Sequence, residues 1–155
     1  MKKRVSESKT EQVQIITQSD LNGYKRLFGG QLMEWIDIVA AVTARRHCER
    51  NVTTVMIDRL HFKEPAHGND LIVLRGQVTY VGKTSMEVCV RSYVESLTGM
   101  RRLINTAYVI MVALDENEKP CEVPGLIIEN EEEQREWDAG KKRYELRKQR
   151  KIECF

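Results

Sequence analysis

The rhythm of apolar and polar positions changes sharply along the chain. Residues 1–10 are almost wholly polar, which predicts a disordered N-terminal segment. "QVQIIT" (12–17) is a short strand candidate. The next segment, "GGQLMEWIDIVAAVTARRH" (29–47), lacks proline and is too long for an ordinary strand, and its Leu, Met, Ala, Glu and Arg content predicts a helix. From Leu32 to Ala44 its only polar residues are Glu34, Asp37 and Thr43. A helix so apolar on every side is expected to be buried all round. After "CERN" the period falls to two. Strands are predicted over 53–62, 70–81, 84–94 and 101–114, with Ile72, Leu74, Val78 and Tyr80 on one face of the second and Met86, Val88, Val90 and Val94 on one face of the third. "GK" (82–83) and "LTGM" (97–100) are hairpin-length links, so the last three strands read as a meander.

A five-stranded antiparallel sheet with one apolar face needs a cover, and 29–47 is the only fully apolar helix in the sequence. The expected class is therefore α+β, one sheet wrapped around one long helix. The sheet alone does not hide a helix that is apolar all round, and a second copy of the chain is the natural complement. The domain expected from this pattern covers 11–125. The remainder, 126–155, is a charged helical tail. Residues 129–138 hold six acids and one base, and 141–151 hold seven bases and one acid, which suits a helix macrodipole. That tail reads as a solvated surface helix with Gly140 as its weak point. A sharper reading makes its end a basic patch near a phosphate-bearing ligand.

Composition narrows the function classes. With 155 residues there is room for one domain with a real core. A net charge of +2 does not point to nucleic acid. Cys48, Cys89, Cys121 and Cys154 form no CxxC or Cys/His ligand pattern, so no metal site is expected. "MKKRVSESKTEQ" has no apolar core of a signal peptide, and no run is long enough to span a membrane. Unpaired thiols without such a signal favour the cytoplasm.

The chemistry centres on Asp37. Three positions after Glu34, an aspartate ordinarily extends a solvent-facing stripe. Here it is flanked by Trp35, Ile36, Ile38 and Val39, and aspartate is a poor interior helix residue. The same helix starts at a glycine pair, "FGGQ". A helix N-terminus exposes unpaired N–H groups and about half a positive charge, and preorganised donors of this kind stabilise an oxyanion. Asp37 lies two turns further along, too far to act on the same carbon from one subunit. Across a dimer, the carboxylate of one helix can meet the glycine turn of the other.

In "NGYKRLFGGQLMEWID", "VTTVMIDRLHFKEPAHGNDLIVLRGQVTYVGKTSMEV" and "VALDENEKPCEVP", the chain resembles the hotdog-fold acyl-CoA thioesterases from about Gln18 to Pro124. The resemblance implies a hotdog fold, hydrolysis of acyl-CoA to free acid and CoA, and dimers often assembled into hexamers as trimers of dimers. It implies no cofactor beyond the CoA of the substrate. It assigns catalysis to Asp37 as general base or nucleophile, to Asn22 as the amide that orients water or carbonyl, and to Gly30 as the N–H that polarises the thioester. Phe28, Gly29, Arg59, Lys63, Gly82, Lys83, Thr84 and Ser85 are the implied CoA and substrate contacts. The chain departs from the family near Lys25, where many members carry glycine; here the glycine is Gly23. A non-catalytic acyl-CoA sensor on the same fold is the alternative, and it would have no use for Asp37 as a reacting group.

Overall fold

The computed structural model describes residues 1–154. Its strands are β1 (Lys2–Arg4), β2 (Thr10–Ile15), β3 (Asn51–Phe62), β4 (Leu71–Val81), β5 (Ser85–Glu95), β6 (Arg101–Leu114) and β7 (Gly125–Ile127). Its helices are α1 (Gly29–Cys48) and α2 (Glu131–Glu153). Five strands form one antiparallel sheet in the order β2-β4-β5-β6-β3, with β4, β5 and β6 as the expected meander.

α1 lies across one face of this sheet. Leu32, Ile36, Val39, Ala40 and Ala44 pack on Ile72, Leu74, Val78, Met86, Val88, Val90, Val109 and Met111, all at or near zero exposure. The helix ends at Glu49, whose left-handed backbone (φ 57°) lets its N–H bond Arg45 O at 2.8 Å and turns the chain straight into β3. α1 and β3 therefore run antiparallel.

Four expectations need correction. α1 is not buried all round: Gly30, Met33, Glu34 and Ile38 are exposed and Asp37 and Ala41 half-buried, a stripe at helical spacing facing away from the sheet. Residues 1–10 are not disordered. β1 pairs in parallel with β7, and Val5 is buried in the core at 1% exposure. Tyr80 does not share a face with Val78. A register shift between them turns Tyr80 to the opposite side of the sheet.

The fourth concerns the tail, which is a third layer rather than a solvated helix. α2 packs on the sheet face opposite α1, with the Trp137 and Tyr144 rings 4.4 and 5.4 Å from Tyr80. Gly140 is the point of closest approach: a Cβ there would lie 2.7 Å from Tyr80 Cβ and 2.9 Å from Glu87 Oε1. Beside it, Arg143 donates two 2.8 Å bonds to the carboxylate of Glu87, which is 1% exposed. Thr79 Oγ1 donates to the same carboxylate at 2.6 Å, and the Arg143 guanidinium lies 3.8 Å above the Tyr108 ring.

Candidate active site

Asp37 projects from the exposed stripe of α1 toward β3, and its Oδ1 accepts a 2.6 Å bond from Thr54 Oγ1. The antiparallel course of α1 and β3 brings these two residues together. The same hydroxyl lies 3.4 Å from Met111 Sδ. Asp37 Oδ2 has no hydrogen-bond partner among the described residues. Thr54 is absent from the sequence-derived site because a threonine in a β-branched strand looks like ordinary strand composition. Only the tertiary pairing of β3 with α1 singles it out.

Gly29 and Gly30 open α1 after Phe28, which has no side-chain capping bond. The first intrahelical acceptor, Phe28 O, takes Gln31 N–H and Leu32 N–H at 3.0 and 3.1 Å. The glycine amides ahead of these are the unsatisfied donors of the helix start. Gly30 lies beneath the half-exposed Phe28 ring, where an added Cβ would stand 2.6 Å from a ring carbon. Gly29 lies against Phe62 of β3.

Asn22 is placed by its loop. Leu27 N–H bonds Ala66 O at 2.7 Å, Phe28 N–H bonds Asp20 O at 2.8 Å, and Arg26 bridges to His67. Asn22 Oδ1 accepts from Tyr24 N–H at 2.9 Å and Arg26 N–H at 3.2 Å. Its carbonyl is thereby occupied, and the amide NH2 is what Asn22 has left to offer, a donor. The tight turn requires Lys25 to adopt φ 60°, the left-handed region where the family resemblance expects glycine. Asn22, Gly29 and Lys63 line one cavity of about 400 Å³, together with Arg26, Leu32 and Phe62.

The implied contacts thus fall into two groups within one protomer. Asn22, Phe28, Gly29, Gly30 and Lys63 gather where α1 begins and β3 ends. Asp37 and Thr54 lie nearer the start of β3. The hairpin Gly82–Ser85 belongs with this second group, because Ser85 pairs with Val112, which pairs with Thr53. Gly30 and Asp37 share one helix face but stand about 10 Å apart along the axis at about 1.5 Å per residue. Arg59 sits exposed in a β3 bulge with φ 56°, outside the residues that line the cavity.

A hotdog arrangement of helix and sheet, with a carboxylate and a helix N-terminus on one open stripe, defines the class. The Thioesterase superfamily model matches residues 24–99. The chain is 40% identical over 146 residues to the "uncharacterized acyl-CoA thioester hydrolase YkhA" of Bacillus subtilis, covering 94% of this chain and 85% of that one. The acyl-CoA hydrolase of Staphylococcus aureus, solved with butyryl coenzyme A, coenzyme A and coenzyme A disulfide, superposes with TM-score 0.93 at 35% identity, over 99% of this chain and 94% of that one. Structures of that enzyme include alanine variants at an asparagine, an aspartate and a threonine. An apo-hexameric acyl-CoA thioesterase superposes with TM-score 0.92 at 39% identity, over 96% of each chain. The chain belongs to the acyl-CoA thioester hydrolases of the thioesterase superfamily.

Proposed function

We propose that the protein hydrolyses acyl-CoA at a site shared by two subunits. Asp37 and Thr54 come from one protomer, and Asn22, Gly29 and Gly30 from the other. The observation that carries this reading is Asp37 itself, a half-buried carboxylate tethered by Thr54 in the middle of an exposed apolar stripe. The S. aureus enzyme was altered at the same three residue types in the same chain order and spacing as Asn22, Asp37 and Thr54.

The chemistry follows from the donors and acceptors. Gly30 N–H receives the thioester oxygen as it gains charge, aided by the positive end of α1. Asn22 donates through its amide NH2 to the carbonyl or the water. Thr54 holds Oδ1 of Asp37 and leaves Oδ2 to accept a proton from water or to attack the carbonyl carbon. The C–S bond then breaks and CoA leaves as the thiolate and takes up a proton; on the general-base route the acid is released directly, and on the nucleophilic route water hydrolyses the acyl–Asp37 anhydride, freeing the acid and restoring the carboxylate. Transfer of labelled oxygen from water into Asp37 in a single turnover marks the nucleophilic route.

Two surfaces support dimerisation. β3 is an edge strand of 12 residues with Val55 at 61% exposure and Met56 beside it. The α1 stripe adds exposed Met33 and Ile38. A long apolar edge next to an apolar helix stripe is the signature of a strand and helix awaiting their two-fold mates. Pairing β3 with its symmetry mate runs the two helices past each other and brings Asp37 toward the other subunit's glycine turn. Three such dimers forming a hexamer is the assembly we infer, in line with the hexameric relative. Four free cysteines among the described residues accord with a cytoplasmic setting.

The shared site is tested by mixing two inactive variants, Asp37→Asn and Asn22→Ala, after reversible dissociation. Mixed dimers carry one intact site, so random reassociation should restore about a quarter of wild-type turnover. No recovery would place both residues in one protomer's site.

A further inference from the structure

We propose that the cavity beside the glycine turn takes a short acyl chain that ends in a carboxylate, with Arg26 and Lys63 pairing that carboxylate. The proposal rests on the acyl-CoA reading above and names the class of acyl group within it.

The position of the cavity points to the acyl half of the substrate. Asn22 and Gly29 form part of its wall, so it opens beside the helix start whose Gly30 N–H is assigned to the thioester oxygen. The Gly82–Ser85 hairpin, which the resemblance gives to CoA, stands with Asp37 and Thr54 in the other half of the shared site. With the thioester held between the two halves, CoA extends toward the hairpin and the acyl chain extends into the cavity. A volume of about 400 Å³ is at the small end for ligand cavities and suits a chain of few carbons.

The wall is of two kinds. Leu27, Leu32, Phe62, Ala66 and Ile104 are apolar and suit methylene groups. Arg26 and Lys63 are cationic. Both side chains reach solvent, and neither has a carboxylate within 4.0 Å among the described residues. The acid of the wall, Glu64, is engaged by Arg102. The cavity thus carries two cations without counter-ions beside apolar side chains.

Both cations are fixed at the backbone. Arg26 N–H donates to Asn22 Oδ1 at 3.2 Å, and Arg26 O accepts Asn22 N–H at 2.8 Å. Lys63 N–H donates to Ile104 O at 2.9 Å. A fixed root lowers the ordering cost when a long side chain meets its anion. An acyl chain that ends in a methyl group leaves both cations to water. A terminal carboxylate meets a guanidinium and an ammonium in partly apolar surroundings, where a charge-assisted pair is stronger than in open water.

The phosphates of CoA are anions too, and the experiment separates them from the acyl carboxylate. Glutaryl-CoA and pentanoyl-CoA carry acyl chains of equal length that differ in the terminal carboxylate. For both, kcat/KM is measured with the full-length protein. Binding is measured by calorimetry in the Asp37→Asn background, where turnover does not intervene. Wild type should turn over glutaryl-CoA at least as efficiently as pentanoyl-CoA, whereas a cavity with apolar walls alone rejects a carboxylate. Arg26→Gln and Lys63→Gln should each lower the glutaryl-to-pentanoyl ratio about fivefold or more, in kcat/KM and in binding. Arg26→Lys should retain most of the ratio. Lys142→Gln removes the same charge from α2, across the sheet from α1, and should leave the ratio within about twofold, since salt screens a distant exposed charge. Equal losses toward both thioesters in Arg26→Gln and Lys63→Gln would assign these cations to CoA and overturn the proposal. So would a wild type that favours pentanoyl-CoA, or an equal fall of the ratio in Lys142→Gln. Thiol release from pentanoyl-CoA alone would overturn this proposal and leave the hydrolase reading standing. Tighter binding of glutaryl-CoA with the expected variant pattern, but no thiol release from either, would overturn the hydrolase reading and leave this one standing.

Discussion

At the scale of single residues, the Asp37–Thr54 bond is the contact on which the proposed mechanism turns. A hydrogen bond to a charged group contributes about 1.5–3 kcal/mol. Thr54→Val keeps the shape of the strand and removes the hydroxyl, so kcat should fall about 10- to 100-fold while thermal stability stays near wild type. Unchanged kcat would remove Thr54 from the site. A second residue-scale expectation concerns His47, fully buried, with Nε2 2.8 Å from Pro124 O. A carbonyl only accepts, so Nε2 carries the proton and Nδ1 is a buried nitrogen without a partner. Burial pushes its pKa below the ordinary 6.5, against the opposing pull of the Pro124 carbonyl; Lys3 lowers it further and Glu7 raises it. The folded state therefore refuses a proton that the unfolded chain accepts. Its contribution to stability is full above about pH 6.5 and is lost as pH falls toward the depressed folded value. Wild type should lose more thermal stability than His47→Gln between pH 7.5 and pH 5.5. Equal losses would show that His47 carries no such coupling. Asp37 and the glycine pair are legible in the sequence because a lone carboxylate and two small residues interrupt an apolar run. Thr54 and His47 are not, because their roles arise from partners 17 and 77 residues away.

At the scale of elements, α2 shows how charge patterning misleads. Its acidic start and basic end satisfy the helix dipole, and Asn130 caps it by accepting Glu133 N–H at 2.8 Å. Those features predict a helix correctly and say nothing of where it docks. The docking depends on Gly140, Arg143 and Tyr144, which look like a flaw and two surface residues until the sheet supplies Tyr80, Glu87 and Gly82. Glu87→Ala should destabilise the fold by about 3–5 kcal/mol, because it leaves the Arg143 guanidinium buried without its anion. Chemical denaturation measures this directly, and a loss below 1 kcal/mol would mean that Arg143 escapes to solvent. The strands were more legible. β6 is found over the residues predicted, Arg101–Leu114, since a long alternating run bounded by turns permits few other outcomes. The bulge between Val78 and Tyr80 leaves no mark in the alternation, and it is the bulge that gives α2 its aromatic platform.

At the scale of the whole molecule, the incomplete burial of α1 is the feature that reaches furthest. The sequence shows a helix with no polar face, and the single chain covers only part of it. The stripe left open, with the β3 edge beside it, is where the second subunit is expected. Val55→Lys places a charge on that edge, the device by which natural sheets prevent strand addition. It should lower the mass in sedimentation and abolish turnover together, since the proposed site draws on both subunits. A monomeric variant with full turnover would show that one chain suffices. Assembly is the level least legible in the sequence, because apolar surface announces that a partner exists without fixing its geometry.

The central claim is that Asp37 performs acyl-CoA hydrolysis on this fold. Its most direct test is CoA-thiol release from a panel of short- to long-chain acyl-CoAs, with wild type and Asp37→Asn measured side by side. Thiol release by wild type, its loss by about a hundredfold or more in the variant, and matching unfolding temperatures are the expected result. Wild-type rates in Asp37→Asn would contradict the assignment of the residue, and no release from any acyl-CoA by wild type would contradict the activity itself.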